Sequence, residues 1–239
     1  MAVFVMADLH LATANSQKSM EVFGKRWINY IEKISKNWNT LVSERDTVII
    51  PGDISWGLTI DEAMNDLKWL DSLPGTKILM KGNHDFWWST TSKINHFFSE
   101  NNINTIKVLN NSAEIVEDYI VAGSRGWFTD RSMQNADEKV DYDKIVKREA
   151  IRLDLSLKCA NELKRETNRE IVVFLHFPPV WGNFLCPEIL DTLEKYKIKN
   201  CYFGHIHGGY NLPSVLYHND IRFVRISADH LSFLPYPIK

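Results

Sequence analysis

Five short apolar runs along this chain each stop at an acidic, amide or imidazole side chain. Val3 to Ala7 stops at Asp8, and Thr47 to Ile50 stops at Pro51-Gly52-Asp53. Lys77 to Lys81 leads to Gly82-Asn83-His84, Ile171 to Leu175 to His176, and Asn200 to Phe203 to Gly204-His205. The runs are rich in Val, Ile and Phe and mostly continuous, which predicts strands buried on both faces. Helical periodicity lies between them. Trp27, Ile31, Ile34, Trp38 and Leu41 form one apolar stripe. Thr59-Ile60-Asp61-Glu62 is a capping-box pattern opening a second helix, which Pro74-Gly75 stops. Ser89 or Thr90 caps a third helix carrying Ile94, Phe97 and Phe98, and Val146 to Leu163 marks a longer fourth. Thr105 to Gly123 predicts two or three short strands around Asn110-Asn111, and Leu216 to Ser227 a hairpin turning near His218-Asn219-Asp220. Alternating strands and helices predict an α/β fold with an at least partly parallel sheet. The polar stretch 129–141 is the long-loop candidate, a lid or a solvated connection.

Composition narrows the class of partner. The length of 239 residues suits one α/β domain spanning 1–239. With 28 basic and 30 acidic side chains the net charge is -2, which argues against a nucleic-acid partner gripped through many phosphates. The three cysteines, Cys159, Cys186 and Cys201, are widely spaced and show no C-x-x-C pattern, so a reducing compartment is expected. The first residues lack the basic start of a signal peptide, and no run approaches the ~20 apolar residues of a membrane span. A soluble, cytoplasmic protein without a membrane partner is the expectation.

The strand-end residues bring the chemistry. In open α/β sheets, ligands bind beyond the carboxyl ends of strands, so residues far apart in sequence can share one centre there. Side chains two apart on an extended chain point the same way, which lets Asp8 and His10 reach one centre, and likewise His205 and His207. Gly52, Gly82 and Gly204 each precede a candidate, where backbone must pass close to a crowded point. Imidazole, carboxylate and amide oxygen together suit Zn, Fe or Mn, and the absence of thiolate argues against a finger-type zinc. Asp53, the lone acid of its block, is the natural bridge between two ions. Two divalent ions less the charges of Asp8 and Asp53 leave roughly two positive charges, enough to attract phosphate and to lower a water pKa toward ~7. These residues point to a metal-dependent phosphoester hydrolase.

The five blocks, D-x-H, G-D, G-N-H-D, a lone His and G-H-x-H, resemble the calcineurin-like metallophosphoesterase superfamily, in order from position 8 to 207. The resemblance implies a four-layer αββα sandwich, two mixed β-sheets flanked by helices. It implies that Asp8, His10 and His207 hold one metal, that Asn83, His176 and His205 hold a second, and that Asp53 bridges them. His84 would be the catalytic hydrogen-bond or proton donor, oriented by Asp85, while a hydroxide bridging the metals attacks phosphorus in line. The Asp-Arg pair that phosphoprotein phosphatases carry after Gly-Asp is replaced by Ile54-Ser55-Trp56-Gly57, which argues against protein phosphatase activity. His176-Phe177-Pro178-Pro179 is similar to small bacterial branches that include cyclic-nucleotide phosphodiesterases.

The substrate side is less marked. Trp56, Trp87, Trp88, Trp127 and Trp181 fall near the site loops, and each serves either as a stacking wall or as packing. Arg125, Trp127 and Trp181 are the candidate substrate contacts. His96 and His218 read as structural, and the Asp229-His230 pair, either a support behind the site or a turn with local hydrogen bonds, reads as the turn and stays outside the candidate site. A small phosphorylated substrate, nucleotide-like among others, is expected; a non-catalytic metal-binding scaffold of the same fold and a nuclease are the alternatives.

Overall fold

The computed structural model describes residues 1–13, 18–128 and 141–238. The elements in chain order are β1 (Val3–Val5), α1 (Tyr30–Leu41), β2 (Thr47–Pro51), α2 (Ile60–Asp71), β3 (Thr76–Met80) and α3 (Thr91–Glu100). Then come β4 (Ile106–Val108), β5 (Ala113–Val116), β6 (Tyr119–Ser124), α4 (Tyr142–Thr167) and β7 (Glu170–Leu175). The chain continues through β8 (Val180–Trp181), β9 (Phe184–Leu185), α5 (Pro187–Lys195), β10 (Asn200–Phe203), β11 (Val215–His218), β12 (Ile221–Arg225) and β13 (Tyr236–Pro237). The first sheet runs β13-β1-β2-β3-β4 and the second β11-β12-β10-β7-β6-β5, with β8 and β9 a separate small pair. Both sheets are mixed. β1 to β4 are parallel with β13 antiparallel at the edge, and β6, β7, β10 and β12 are parallel between antiparallel β5 and β11.

Strand alternation builds the layers. Val3 and Val5, Ile49, Ile78 and Met80 face inward onto Val121, Val172, Phe174, Tyr202 and Val224 of the other sheet. Their neighbours Phe4, Val48, Ile50 and Leu79 face outward onto Ile34 and Trp38 of α1, Leu67 and Leu70 of α2 and Phe98 of α3. On the far side Ile171, Val173, Leu175, Cys201 and Phe223 pack on Leu153 and Leu157 of α4 and Leu190 and Leu193 of α5. The result is the four-layer αββα sandwich. Continuous apolar runs are what such strands require, since each face has a core of its own.

The helix starts obey local chemistry. Thr59 accepts from the Glu62 backbone N–H and Thr90 from that of Lys93, each satisfying an otherwise orphaned donor. Asp141 caps α4 in the same way through Lys144. Of the expected loop 129–141, only this cap falls within the described residues. Helix α5 and strands β8, β9 and β13 were not expected; they are short, and α5 announces itself only by Pro187 at its first turn. No helix among the described residues is long and apolar enough to cross a membrane.

Gly123 of β6 pairs with Phe174 of β7, and a Cβ there would overlap the Phe174 carbonyl oxygen and meet Met80 Cε at 2.8 Å. The backbone cannot retreat without losing ladder hydrogen bonds. Gly123→Ala should therefore destabilise the protein by about 2 kcal/mol or more, in the range of an overpacked core. A urea denaturation midpoint unchanged from the parent protein would contradict the close approach.

Candidate active site

The sandwich brings the carboxyl ends of three parallel neighbours from each sheet to one place. Asp8, Asp53 and Asn83 follow β1, β2 and β3; His176, His205 and Asp229 follow β7, β10 and the chain after β12. The sheets are stitched there by a parallel bridge between Ala7 and Ser227, with Ala7 N–H donating to the Ile226 carbonyl (2.9 Å). Asp8 accepts the His205 backbone N–H at 2.8 Å, tying the two sheets' ligand loops together.

Two groups of ligand atoms result. Asp8, His10 and His207 form one, and Asp53, His176 and His205 the other; within each the ligating atoms lie within 4.8 Å of one another. Asp53 Oδ2 sits between the groups, 3.6 Å from His10 Nε2 and 3.3 Å from His176 Nε2. Asn83 Oδ1 lies 2.6 Å from His176 Nε2 and 3.0 Å from His205 Nδ1, so it belongs with the second group. His10 Nε2 and His207 Nε2 face each other at 3.1 Å. So many nitrogen and oxygen lone pairs aimed at a buried point fit a pair of metal ions and suit borderline metals.

His205 and His207 thus serve different groups, which corrects the expectation that an extended i, i+2 pair would share a centre. The backbone is not extended there. Asp8, His10, Asp53 and His205 all have positive φ, at 61°, 45°, 53° and 69°. Such left-handed conformations are costly for non-glycine residues and cluster at functional sites. Surrounding hydrogen bonds hold them. The Asp8 and His10 N–H groups donate to the carbonyls of Gly52 and Asp53, and Tyr30 Oη donates to the His10 carbonyl. A Cβ at Gly82 would overlap the Asp53 carboxylate, so glycine is needed for β3 to pass this close.

Asp85 does not orient His84. Its buried carboxylate accepts the backbone N–H groups of Asp53, Ile54, Ser55 and Gly82 and the Trp87 indole N–H. It pins the Asp53 loop to the Gly82 loop, and burial together with the charge of Asp53 raises its pKa to about 6. His84 instead packs on Trp56, ring centroids 4.5 Å apart, while Trp56 stacks on His10 at 4.9 Å.

Electrostatics divides the histidines. Burial lowers His10 to about 3 and His205 to about 2, so both imidazoles are neutral and ready to ligate at neutral pH. Burial opposes charge on His176 too, but Asp53 and Asp8 outweigh it and raise its pKa to about 9. His176 in turn holds the Asp53 carboxyl below its usual range despite burial. His207 is raised against its burial by a 3.0 Å hydrogen bond to Asp229.

Asp229 is the residue that sequence reasoning missed. It is fully buried and also accepts from Gly208 N–H (2.9 Å) and Tyr210 Oη (3.0 Å), fixing the ring and loop of His207. The signal was present. The strand-like stretch Phe223 to Ala228, though interrupted by Arg225 and Ser227, ends at Asp229 as the five apolar runs end at their ligands.

The substrate contacts expected at Arg125, Trp127 and Trp181 are corrected. Arg125 pairs with buried Glu149 at 3.1 Å and lies over the Trp127 ring, Trp127 packs on Phe177, and Trp181 packs on Phe203 beneath Arg225. Trp87 and Trp88 lie in the core under the first sheet. The cavity of about 490 Å³ over the ligand groups is walled instead by Met20, Phe23, Trp27, Trp56 and Tyr210, with His84 beside them.

Comparison with known proteins agrees with this geometry. The model of the calcineurin-like phosphoesterase family matches residues 1–209. The chain belongs to that family. Across 99% of this calcineurin-like phosphoesterase and 95% of the other chain, the crystal structure of phosphopantetheinyl hydrolase (PptH) from Mycobacterium tuberculosis superposes with a TM-score of 0.58 at 14% identity, a likeness of fold. The protein of unknown function AQ665 from Aquifex aeolicus matches over 99% of this chain and 95% of its own, with a TM-score of 0.47 and 14% identity. In sequence, the Gene 66 protein of Mycobacterium phage L5 is 44% identical over 52 residues, 22% of this phosphoesterase and 25% of that protein. This phosphoesterase therefore spans about a quarter of that curated relative.

Two expectations follow. Metal binding to the metal-free phosphoesterase at pH 7 should release about one proton from His176, with a further contribution from His207. Because the His176 proton must leave first, apparent affinity should rise with pH up to about 9 and flatten above it. Calorimetry in buffers of different ionisation enthalpy reads this directly, and metal binding without proton release would refute the assignment. Asp229→Asn should keep the fold but weaken metal affinity roughly 10–100-fold, as loss of a ligand's hydrogen-bond partner does; parental affinity would show that His207 needs no such support.

Proposed function

We propose that this chain is a metal-dependent phosphohydrolase that cleaves small phosphomonoesters or phosphodiesters at a site for two ions of Mn, Fe or Zn. The supporting observation is that two His/Asp ligand groups share one buried spot, with His84 beside them at the floor of an open cavity. Asp8, His10 and His207 would hold one ion, and Asn83, His176 and His205 the other, with Asp53 shared between them. When bound, two such ions supply positive charge for a phosphate and acidify a water toward neutral pH.

The chain's own residues then divide the work. Asp53, with the backbone N–H of His84 on its Oδ1 (2.8 Å), is fixed to face both groups. Burial lowers the His84 pKa, so its imidazole is neutral at neutral pH and carries one N–H. That N–H is available to a phosphate oxygen or to the departing ester oxygen. The Trp56 ring holds His84 in place, and Asp85 acts at one remove by fixing the Asp53 loop. Met20, Phe23, Trp27 and Trp56 exclude water from one side of the reacting centre.

Purified protein supplied with Mn should hydrolyse aryl phosphomonoesters or phosphodiesters. His84→Ala should bind both ions yet lose about 10²–10³-fold in kcat, the usual cost of removing a positioned hydrogen-bond donor to the reacting group. Undiminished turnover in that variant would remove His84 from the chemistry, and absence of metal-dependent turnover in the parent would overturn the hydrolase reading.

A further inference from the structure

Resting on the phosphohydrolase reading, we infer that the organic group of the substrate is apolar and uncharged. The cavity of about 490 Å³ holds far more than a phosphate. What surrounds the remaining space is one-sided. No Lys or Arg side chain is among the described residues that wall it, so a second phosphate or a carboxylate has no cation to meet. Arg26, next to Trp27, is committed elsewhere: it donates to the Asp229 carbonyl and to Ser232 Oγ and lies over the Tyr210 ring.

Apart from His84, few hydrogen-bonding groups are offered to that space. Met20 and Phe23 have none in their side chains, Trp56 Nε1 has no partner but is buried out of a ligand's reach, and the Tyr210 hydroxyl donates to Asp229. The Gly208 N–H and carbonyl are occupied by Asp229 and Arg225. A nucleobase could stack here, but its polar edge would lose water without replacement, a costly exchange. An alkyl or aryl group loses nothing of the kind and gains burial.

The mouth of the cavity carries the same signal. Phe23 is 69% exposed and its neighbour Val22 77% exposed, in a short turn of 3-10 helix at the edge of the site. Phe23 lines the cavity, so its exposed ring extends the apolar wall that a ligand can cover.

Non-hydrolysable phosphonates separate this inference from the reaction itself. Calorimetry on Mn-loaded protein would compare inorganic phosphate, methylphosphonate, butylphosphonate, phenylphosphonate and thymidine 5′-monophosphate. Affinity should rise at least about tenfold from methyl- to phenylphosphonate, with butylphosphonate between and the nucleotide below phenylphosphonate. Phe23→Ser, a change at an exposed position, should remove most of that gain. Equal affinities across the series, tightest binding by the nucleotide, or an undiminished gain in Phe23→Ser would overturn the apolar assignment while leaving the hydrolase reading intact. If neither phosphate nor methylphosphonate binds the loaded protein, the phosphohydrolase reading falls and takes this inference with it.

Discussion

Two stacked sheets can share a ligand centre only if their strand ends stop at the same level, and the bridge between Ala7 and Ser227 enforces that register. From that seam the chain turns sharply into Asp8 on one sheet and, two residues beyond Ser227, into Asp229 on the other. The Asp8 carboxylate reaches across to the His205 amide, and Asp229 reaches back to His207. The first contact crosses between the sheets, and the second secures His207 within its own sheet. The three apolar cores, one between the sheets and one under each helical layer, keep both sheets stiff enough for this arrangement.

The site concentrates unfavourable terms that the fold must offset. Four of its residues are left-handed, the four carboxylates of Asp8, Asp53, Asp85 and Asp229 are buried, and several imidazoles crowd one point. Buried charges survive when paired and hydrogen-bonded. In the metal-free chain that pairing is His176 with Asp53 and Asp8, while His10 and His205 avoid the cost by staying neutral. Metal ions in the same place would replace a proton on His176 as the partner of both acids. Asp85 is the counterpart in the backbone: one carboxylate satisfies four amides of two ligand loops that helices and strands leave unpaired.

The layers were legible in the sequence because buried strands leave continuous apolar runs, and the two His/Asp metal-binding groups because such runs stop at or just before carboxylate and imidazole side chains. Thr59 and Thr90 were legible as caps because capping is local. What escaped was set by contacts distant in sequence. Asp229 reads as a turn residue until His207 is placed against it. Asp85 follows His84 directly, which suggests contact, yet its carboxylate turns inward to the loop of Asp53. Trp27 reads as the first residue of a helical stripe, but it precedes α1 and forms part of the cavity wall. Arg125 reads as a free cation near the site until Glu149 of α4 is seen beneath it. Aromatic and charged side chains reach far, so sequence position alone does not tell which face they serve.

The central claim is that chemistry here needs two ions held by both ligand groups together. Metal-free protein titrated with Mn, with bound metal and phosphoester hydrolysis measured on the same samples, tests it most directly. The account predicts saturation at two ions per chain and negligible hydrolysis until the second site fills. Full activity with one ion or none would contradict it.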